Sequence, residues 1–233
     1  MNVQELFKRL SYGELSNLSM SSAGSGSIAA DAQPKLITHA NEGLLRLYSR
    51  FVLSEKEILL EMVDNFTNYH LLRRFAESNE AHDPIDPCYI KDVADPFLED
   101  VIKVLEVYGE DGVRLPLNDI EDPLSVFTPN PIMLQIATPV PGKMLSLVYQ
   151  ARHVPLEYGV LGSEILLPAV LEGALVSYVA GQIYGNMNGV DNSAKGSEYM
   201  NKYEVICADI LSKDLVNSSR STSNTKFDNR GFV

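Results

Sequence analysis

Apolar positions along the chain repeat with two different periods, and the change of period divides it into segments. Val3, Leu6, Phe7 and Leu10 recur at helical spacing and predict an amphipathic helix, with 12–18 as its polar–apolar extension. A second stripe, Ile37, Leu44, Leu45, Tyr48, Phe51 and Val52, predicts a helix running to about Ser54. Pro34 falls in its first turn, where a missing N–H costs nothing because that group has no intrahelical acceptor. Between the two, 19–30 (SMSSAGSGSIAA) reads as a flexible Gly/Ser linker.

The segment 55–72, EKEILLEMVDNFTNYHLL, can be read as more helix or as strands. FTNYHL alternates, is rich in strand formers and follows the turn pair Asp64-Asn65, which favours a hairpin of 57–63 with 66–72. The polar, proline-bearing 77–89 is a loop. A β pattern then takes over: 100–108 is β-branched and apolar, Glu110-Asp111-Gly112 is a hairpin turn with Gly free to take positive φ, and 113–117 returns. The next pair expected is 132–137 with 143–151, across the turn cluster TPVPG.

Helical spacing resumes at Glu164 with Leu166, Leu167, Val170, Leu171, Ala174, Leu175, Tyr178, Val179 and Ile183. Ala169, Gly173, Ala180 and Gly181 let another helix approach closely. Gly189 marks a stop, and Tyr199, Tyr203, Ile206, Ile210, Leu211 and Leu215 make a last amphipathic helix. The expected class is α+β: a mainly α-helical bundle from 1–55 and 163–216, an inserted antiparallel β-rich module over 56–152, and an extended C-terminal arm over 217–233.

The 233 residues are 45% hydrophobic, enough for a sizeable core. A net charge of -12 gives a surface that repels a nucleic-acid backbone. Cys88 and Cys207 form no CxxC pair and read as free thiols, Cys207 in the core. MNVQELFKRL carries charges inside its apolar run and does not read as a signal peptide. The longest apolar stretch, 165–183, contains Pro168, Glu172 and Gln182 and reads as a buried helix rather than a membrane span.

Residues that carry chemistry are scattered. His39, His70, His82 and His153 share no metal-ligand spacing. Gly24-Ser25-Gly26 has no preceding strand and no GK[ST] ending, so it is not a phosphate loop. Glu80, Asp83, Asp86, Asp92 and Asp95 form an acidic stretch that lacks a DxDxDG pattern and is interrupted by Pro84, Pro87 and Pro96. It reads as a solvated loop; a small metal-dependent hydrolase built on it is the enzymatic alternative. No nucleophile–base pair is evident, so no catalytic, cofactor-binding or metal-binding residue is expected and the chain is not read as an enzyme. The doublets Lys8-Arg9 and Arg73-Arg74 read as element faces.

The arm, NSSRSTSNTKFDNRGFV, is different. It is net basic on an acidic chain, holds almost nothing that builds a core, and carries Phe227 and Phe232. Such a segment stays mobile until a partner orders it and then buries its aromatics. Arg220, Lys226, Phe227, Arg230 and Phe232 are the expected partner-binding residues, suited to a protein groove offering carboxylates and apolar pockets.

Taken in order, LSYGELSNLSM, THANEGLLRLYSRFVLSEKE, VIKVLEVYGEDGVRLPLND, DPLSVFTPNPIMLQI, PGKMLSLVYQARH, LPAVLEGALVSYVAGQIYGNM and the terminal DNRGFV resemble the head–tail adaptor proteins of tailed phages, in particular the podophage tail tubular protein A group. The resemblance covers nearly the whole chain and rests on segment order. It implies a helical bundle with a β-rich insertion, assembled as a dodecameric ring below the portal protein. The arms would dock on the portal, the tail nozzle would seat on the distal side, and genomic DNA would pass through the lumen without specific binding. The Gly/Ser linker would let the first helix pack on a neighbouring subunit. The protein would be made in the host cytoplasm, reside in the virion neck, and need no cofactor and no membrane. The alternative is a cytoplasmic scaffold or regulatory module whose arm binds a protein partner.

Overall fold

The structure is a computed structural model that describes residues 1–81, 83 and 86–216. His82 and the arm at 217–233 lie outside the described residues. Four α-helices are present among them: α1 (Val3–Tyr12), α2 (Gln33–Arg50), α3 (Ala169–Gly185) and α4 (Val190–Ser212). A capping box fixes the start of α1: the Asn2 side chain accepts from Glu5 N at 2.8 Å, and the Glu5 carboxylate accepts from Asn2 N at 3.0 Å. The helix stops at Tyr12, so the expected extension over 12–18 is absent, although Leu15 is fully buried.

The Gly/Ser segment is folded rather than a loose tether. It contains a short 3₁₀ helix, Ser19–Gly24, and both Ser21 and Ile28 are buried. The Ser11 hydroxyl of α1 donates to Ser21 O at 3.0 Å and accepts from Gly26 N at 3.2 Å, and the Ser21 hydroxyl donates to Ser16 O at 3.0 Å and Leu18 O at 2.9 Å. Ser21, which composition assigns to a linker, here satisfies the backbone of a tight turn. The first helix therefore packs on its own chain: Val3, Leu6, Phe7 and Leu10 join α2, α3 and α4 in one hydrophobic cluster. α3 lies at its centre and is buried around most of its circumference, from Leu171 to Tyr184. Its C-terminal half meets α4 through glycines, and a Cβ on Gly196 would stand 2.7 Å from Gly185 N.

Among the described residues eight strands follow α2: β1 (Glu55–Glu61), β2 (Asn68–His70), β3 (Ile90–Lys91), β4 (Val101–Tyr108), β5 (Arg114–Leu115), β6 (Val126–Asn130), β7 (Met133–Ile136) and β8 (Met144–Ala151). They form a five-stranded sheet in the order β3-β1-β8-β4-β5 and a three-stranded sheet in the order β2-β7-β6, with every pairing antiparallel. Ile58, Leu60, Val107 and Leu147 from the larger sheet and Tyr69, Leu134 and Ile136 from the smaller share a second hydrophobic cluster.

This architecture corrects the expected class. With 35% helix, 20% strand and two antiparallel sheets, the chain is an α+β fold and not a mainly α-helical bundle. The β region carries its own two-sheet core instead of decorating a helical one. Two strand pairings also differ. β1 and β2 do not form a hairpin: β1 pairs with β3 and β8, and β2 with β7. The turn at Asn65, whose φ is 57°, carries the chain to the other sheet. Likewise β7 pairs with β2 and β6 while β8 pairs with β1 and β4, so the TPVPG segment also crosses between sheets. Alternation identifies a strand and its buried face but not its neighbour.

β8 ties the two cores together. Its first residues alternate in burial, but Leu147 to Ala151 are all buried: Leu147, Tyr149 and Ala151 face the β core, and Gln150, on the other face, meets the end of α2. Gln150 Nε2 donates to the carbonyls of Tyr48 and Phe51 at the end of α2.

Candidate binding surfaces

Two surfaces combine exposed apolar side chains with a fixed backbone, and they sit at opposite ends of β8. The first is a groove of about 800 Å³ at the start of β8. Strands of both sheets end there, so their turns splay around a mouth that no further strand closes. Met62, Leu115, Leu124, Ile136, Val140 and Leu145 supply its apolar lining. Leu124, from the loop before β6, is 70% exposed.

The rim of the groove is acidic. Glu110 and Asp111 line it, and Asp119, Glu121 and Asp122 immediately precede the lining residues Pro123 and Leu124 in the chain. Lys143 is the one basic side chain among the described lining residues. Asp111 accepts from Val113 N at 3.1 Å, Asp119 from Glu121 N at 3.0 Å and Asp122 from Leu124 N at 2.8 Å. These turns hold the loops in place with one oxygen of each carboxylate.

The second surface is the connection from β8 to α3, where Val154, Tyr158, Val160, Leu161, Leu166 and Val170 are exposed. The connection has no regular secondary structure but is pinned along its length. The Asn41 side chain donates to Leu156 O at 3.0 Å and accepts from Leu156 N at 2.8 Å. Val3 N donates to Ser163 O at 3.1 Å, and Gln4 N to Leu161 O at 3.0 Å. The Tyr48 hydroxyl donates to Leu166 O. Leu166 N donates to His153 Nε2 at 3.1 Å, so the imidazole proton sits on Nδ1 and is given to Val154 O. His153 packs edge-on against Tyr48, and burial holds its pKa below the ordinary value, partly offset by the bond to Val154.

The residues singled out for chemistry do not converge. Asp92, from the acidic stretch, is buried and accepts from Ser78 N at 2.9 Å, from the Ser78 hydroxyl and from Phe97 N at 2.7 Å. Burial pushes its pKa up, but these donors outweigh it and hold the carboxyl below the ordinary value. Asp92 is thus a clamp on the loop before β4. His39 is buried against Glu42, at 3.1 Å, and His70 lies in β2. Cys88 and Cys207 are free, and burial raises both thiols, which keeps them protonated at neutral pH. Among the described residues no group of three or more His, Cys, Asp or Glu is placed to hold a metal ion, and no helix is long and apolar enough to cross a membrane.

Arg220, Lys226, Phe227, Arg230 and Phe232 lie outside the described residues. The last described residue, Val216, packs on the helical cluster. Both apolar surfaces escaped the periodicity analysis because they are assembled from turns and connections. The available signal was apolar residues inside Pro/Gly segments: Leu124 in EDPLS, Val140 in TPVPG, and VPLEYGVLG.

No protein-family model matches the chain, and no significant match to a characterised protein is found.

Proposed function

We propose that this chain is a structural assembly protein: a subunit of a head-to-tail ring that acts as a head–tail adaptor between the portal protein and the tail nozzle of a phage virion. The observation that carries this reading is the pair of rigid, exposed apolar surfaces at opposite ends of β8. A ring of identical subunits closes through heterologous contacts, which need two different patches on one molecule. Backbone hydrogen bonds pin the β8–α3 connection. A pinned apolar ridge loses little entropy on association, as suits a permanent contact.

In this reading 1–55 with 163–216 and the 56–152 insertion are the two working parts, and 217–233 is the arm that docks on the portal. The acidic charge keeps the lumen repulsive to phosphates, so DNA slides through without being gripped. Several arms engaging one platform gain avidity from effective concentration. Mass photometry of the purified chain, with and without a portal assembly, tests the reading. The expected result is a closed oligomer on the portal, disrupted by Tyr158→Asp. A lone subunit in both samples would end it.

A further inference from the structure

The groove and the arm match each other in three respects. The groove offers apolar lining, and the arm has two aromatics, Phe227 and Phe232, with no other large apolar side chain except Val233. Glu110 and Asp111 line the groove, Asp119, Glu121 and Asp122 lie just before its lining residues Pro123 and Leu124 in the chain, and the arm carries Arg220, Lys226 and Arg230. The sign pattern matches in reverse as well: the arm has a single acidic residue, Asp228, and the lining a single basic one, Lys143. Elsewhere the chain is strongly acidic, so few of its own segments could approach this rim without repulsion.

The arm is long on the scale of the β module. Val216, where it begins, packs on the helical cluster, and the groove lies at the end of β4. That strand spans about 26 Å at ~3.3 Å per residue. The stretch from Val216 to Phe227 covers up to about 38 Å when extended, and that to Phe232 about 55 Å.

We infer that the groove at the start of β8 is the receptor for the chain's own 217–233 segment, seated in the same molecule, with Phe227 or Phe232 in the apolar lining and Lys226 and Arg230 at the acidic rim. This pairing needs neither ring nor platform. It covers Leu124 and Val140 in the free subunit and withholds the arm's aromatics. A platform that binds the arm more tightly then uncovers the groove, so docking and exposure of an association surface become one event. Tethering supplies an effective concentration of order ~1 mM, so a contact that is weak between separate molecules is still largely formed within one.

The test is fluorescence anisotropy with a labelled 217–233 peptide and full-length proteins, at concentrations where mass photometry shows monomers. A Phe227→Ala/Phe232→Ala chain, its groove vacated, is expected to bind the peptide at least about tenfold more tightly than the wild-type chain, whose groove is filled. Adding Leu124→Asp to that double variant should abolish binding; Leu124 is exposed, so the core is untouched. A peptide bearing the same two Phe→Ala changes should fail to bind, a control that alters no fold. Glu110→Lys should weaken binding and flatten its salt dependence. Equal peptide binding by wild type and double variant would overturn the inference, as would no binding by either. Wild-type oligomers that the double variant dissolves would also overturn it, because the arm would then sit on a neighbour.

Discussion

The helical layer and the β module make their cores by different routes. In the helical layer, Leu6, Leu36, Leu44 and Leu175 are buried along stripes that local periodicity defines, and each helix meets its neighbour along that stripe. In the β module, Leu60 on β1 pairs with Leu145 on β8 and with Ile90 on β3, partners far away in the chain. A helix carries its hydrogen bonds within itself; a strand borrows them from whatever lies alongside. Sequence patterning therefore specifies most of the first region's core but not all of it: Leu45, Val170, Leu211 and Leu215, expected in the stripes, are exposed, and the helix expected from Glu164 begins at Ala169, leaving Leu166 exposed in the connection. It specifies the second region only to its list of strands.

The largest effects should come from emptying either core. Leu147→Ala in β8 and Leu175→Ala in α3 remove fully buried side chains, and each is expected to cost about 2–5 kcal/mol in urea denaturation. Because β8 meets the end of α2 through Gln150, both should shift one common transition. Two separate transitions would show that the regions are independent.

Gln150→Leu attacks that link directly. It strips the Tyr48 and Phe51 carbonyls of their shared donor, at a cost of about 1–3 kcal/mol. Hydrogen exchange should rise at the end of α2 and the end of β8 together; a rise confined to one side would break the proposed coupling.

Gly196→Ala tests the coupling from the helical side. Its Cβ would meet backbone at 2.7 Å, with no flexible side chain to yield, and the expected loss is about 1–3 kcal/mol. The slowest amides of the helical layer and of the β module should lose protection by the same amount, as one common transition requires.

A pH effect belongs to the junction. His153 is held neutral in the folded chain, so below its ordinary value of 6.5 the unfolded chain takes up a proton that the folded one does not. Its contribution is complete above that pH and is lost as pH falls toward the depressed folded value. Protonation also removes the acceptor for Leu166 N. His153→Gln should flatten the stability profile between neutral pH and pH of about 5. An unchanged slope would mean the histidine is not the titrating group. The smallest effect is expected at Leu124→Asp in the Phe227→Ala/Phe232→Ala chain, whose groove is vacated: there the side chain is in solvent and stability should change by under ~0.5 kcal/mol.

The same contrast explains what was legible in the sequence. Val3, Leu6, Phe7, Leu10, Tyr203, Cys207 and Ile210 are core residues, as their spacing and type predict. β4 and β5 pair across Gly112, whose φ is 74°, because a short hairpin is a local object. The sheet crossings after β1 and after β7 were illegible: an Asp-Asn or Pro-Gly turn looks the same whether the chain folds back or crosses over. Ser21 and Ile28 were assigned to a linker because composition counts residue types and not the bonds they can find. The groove is built from six chain segments at one end of two sheets, so no window along the chain contains it.

The interruption of the helical layer also sets an order of events during synthesis. α1 and α2 leave the ribosome with Leu6, Leu36 and Leu44 exposed, because α3, which covers them, is encoded more than a hundred residues later. At about 5–20 residues per second the wait is roughly ten seconds. The eight strands are contiguous, so the sheet pair can close during that interval and hold both connections side by side when α3 emerges. A released fragment ending at Ala151 should already protect β8 from protease while α2 is still cut; the reverse pattern would show that the helices do not wait.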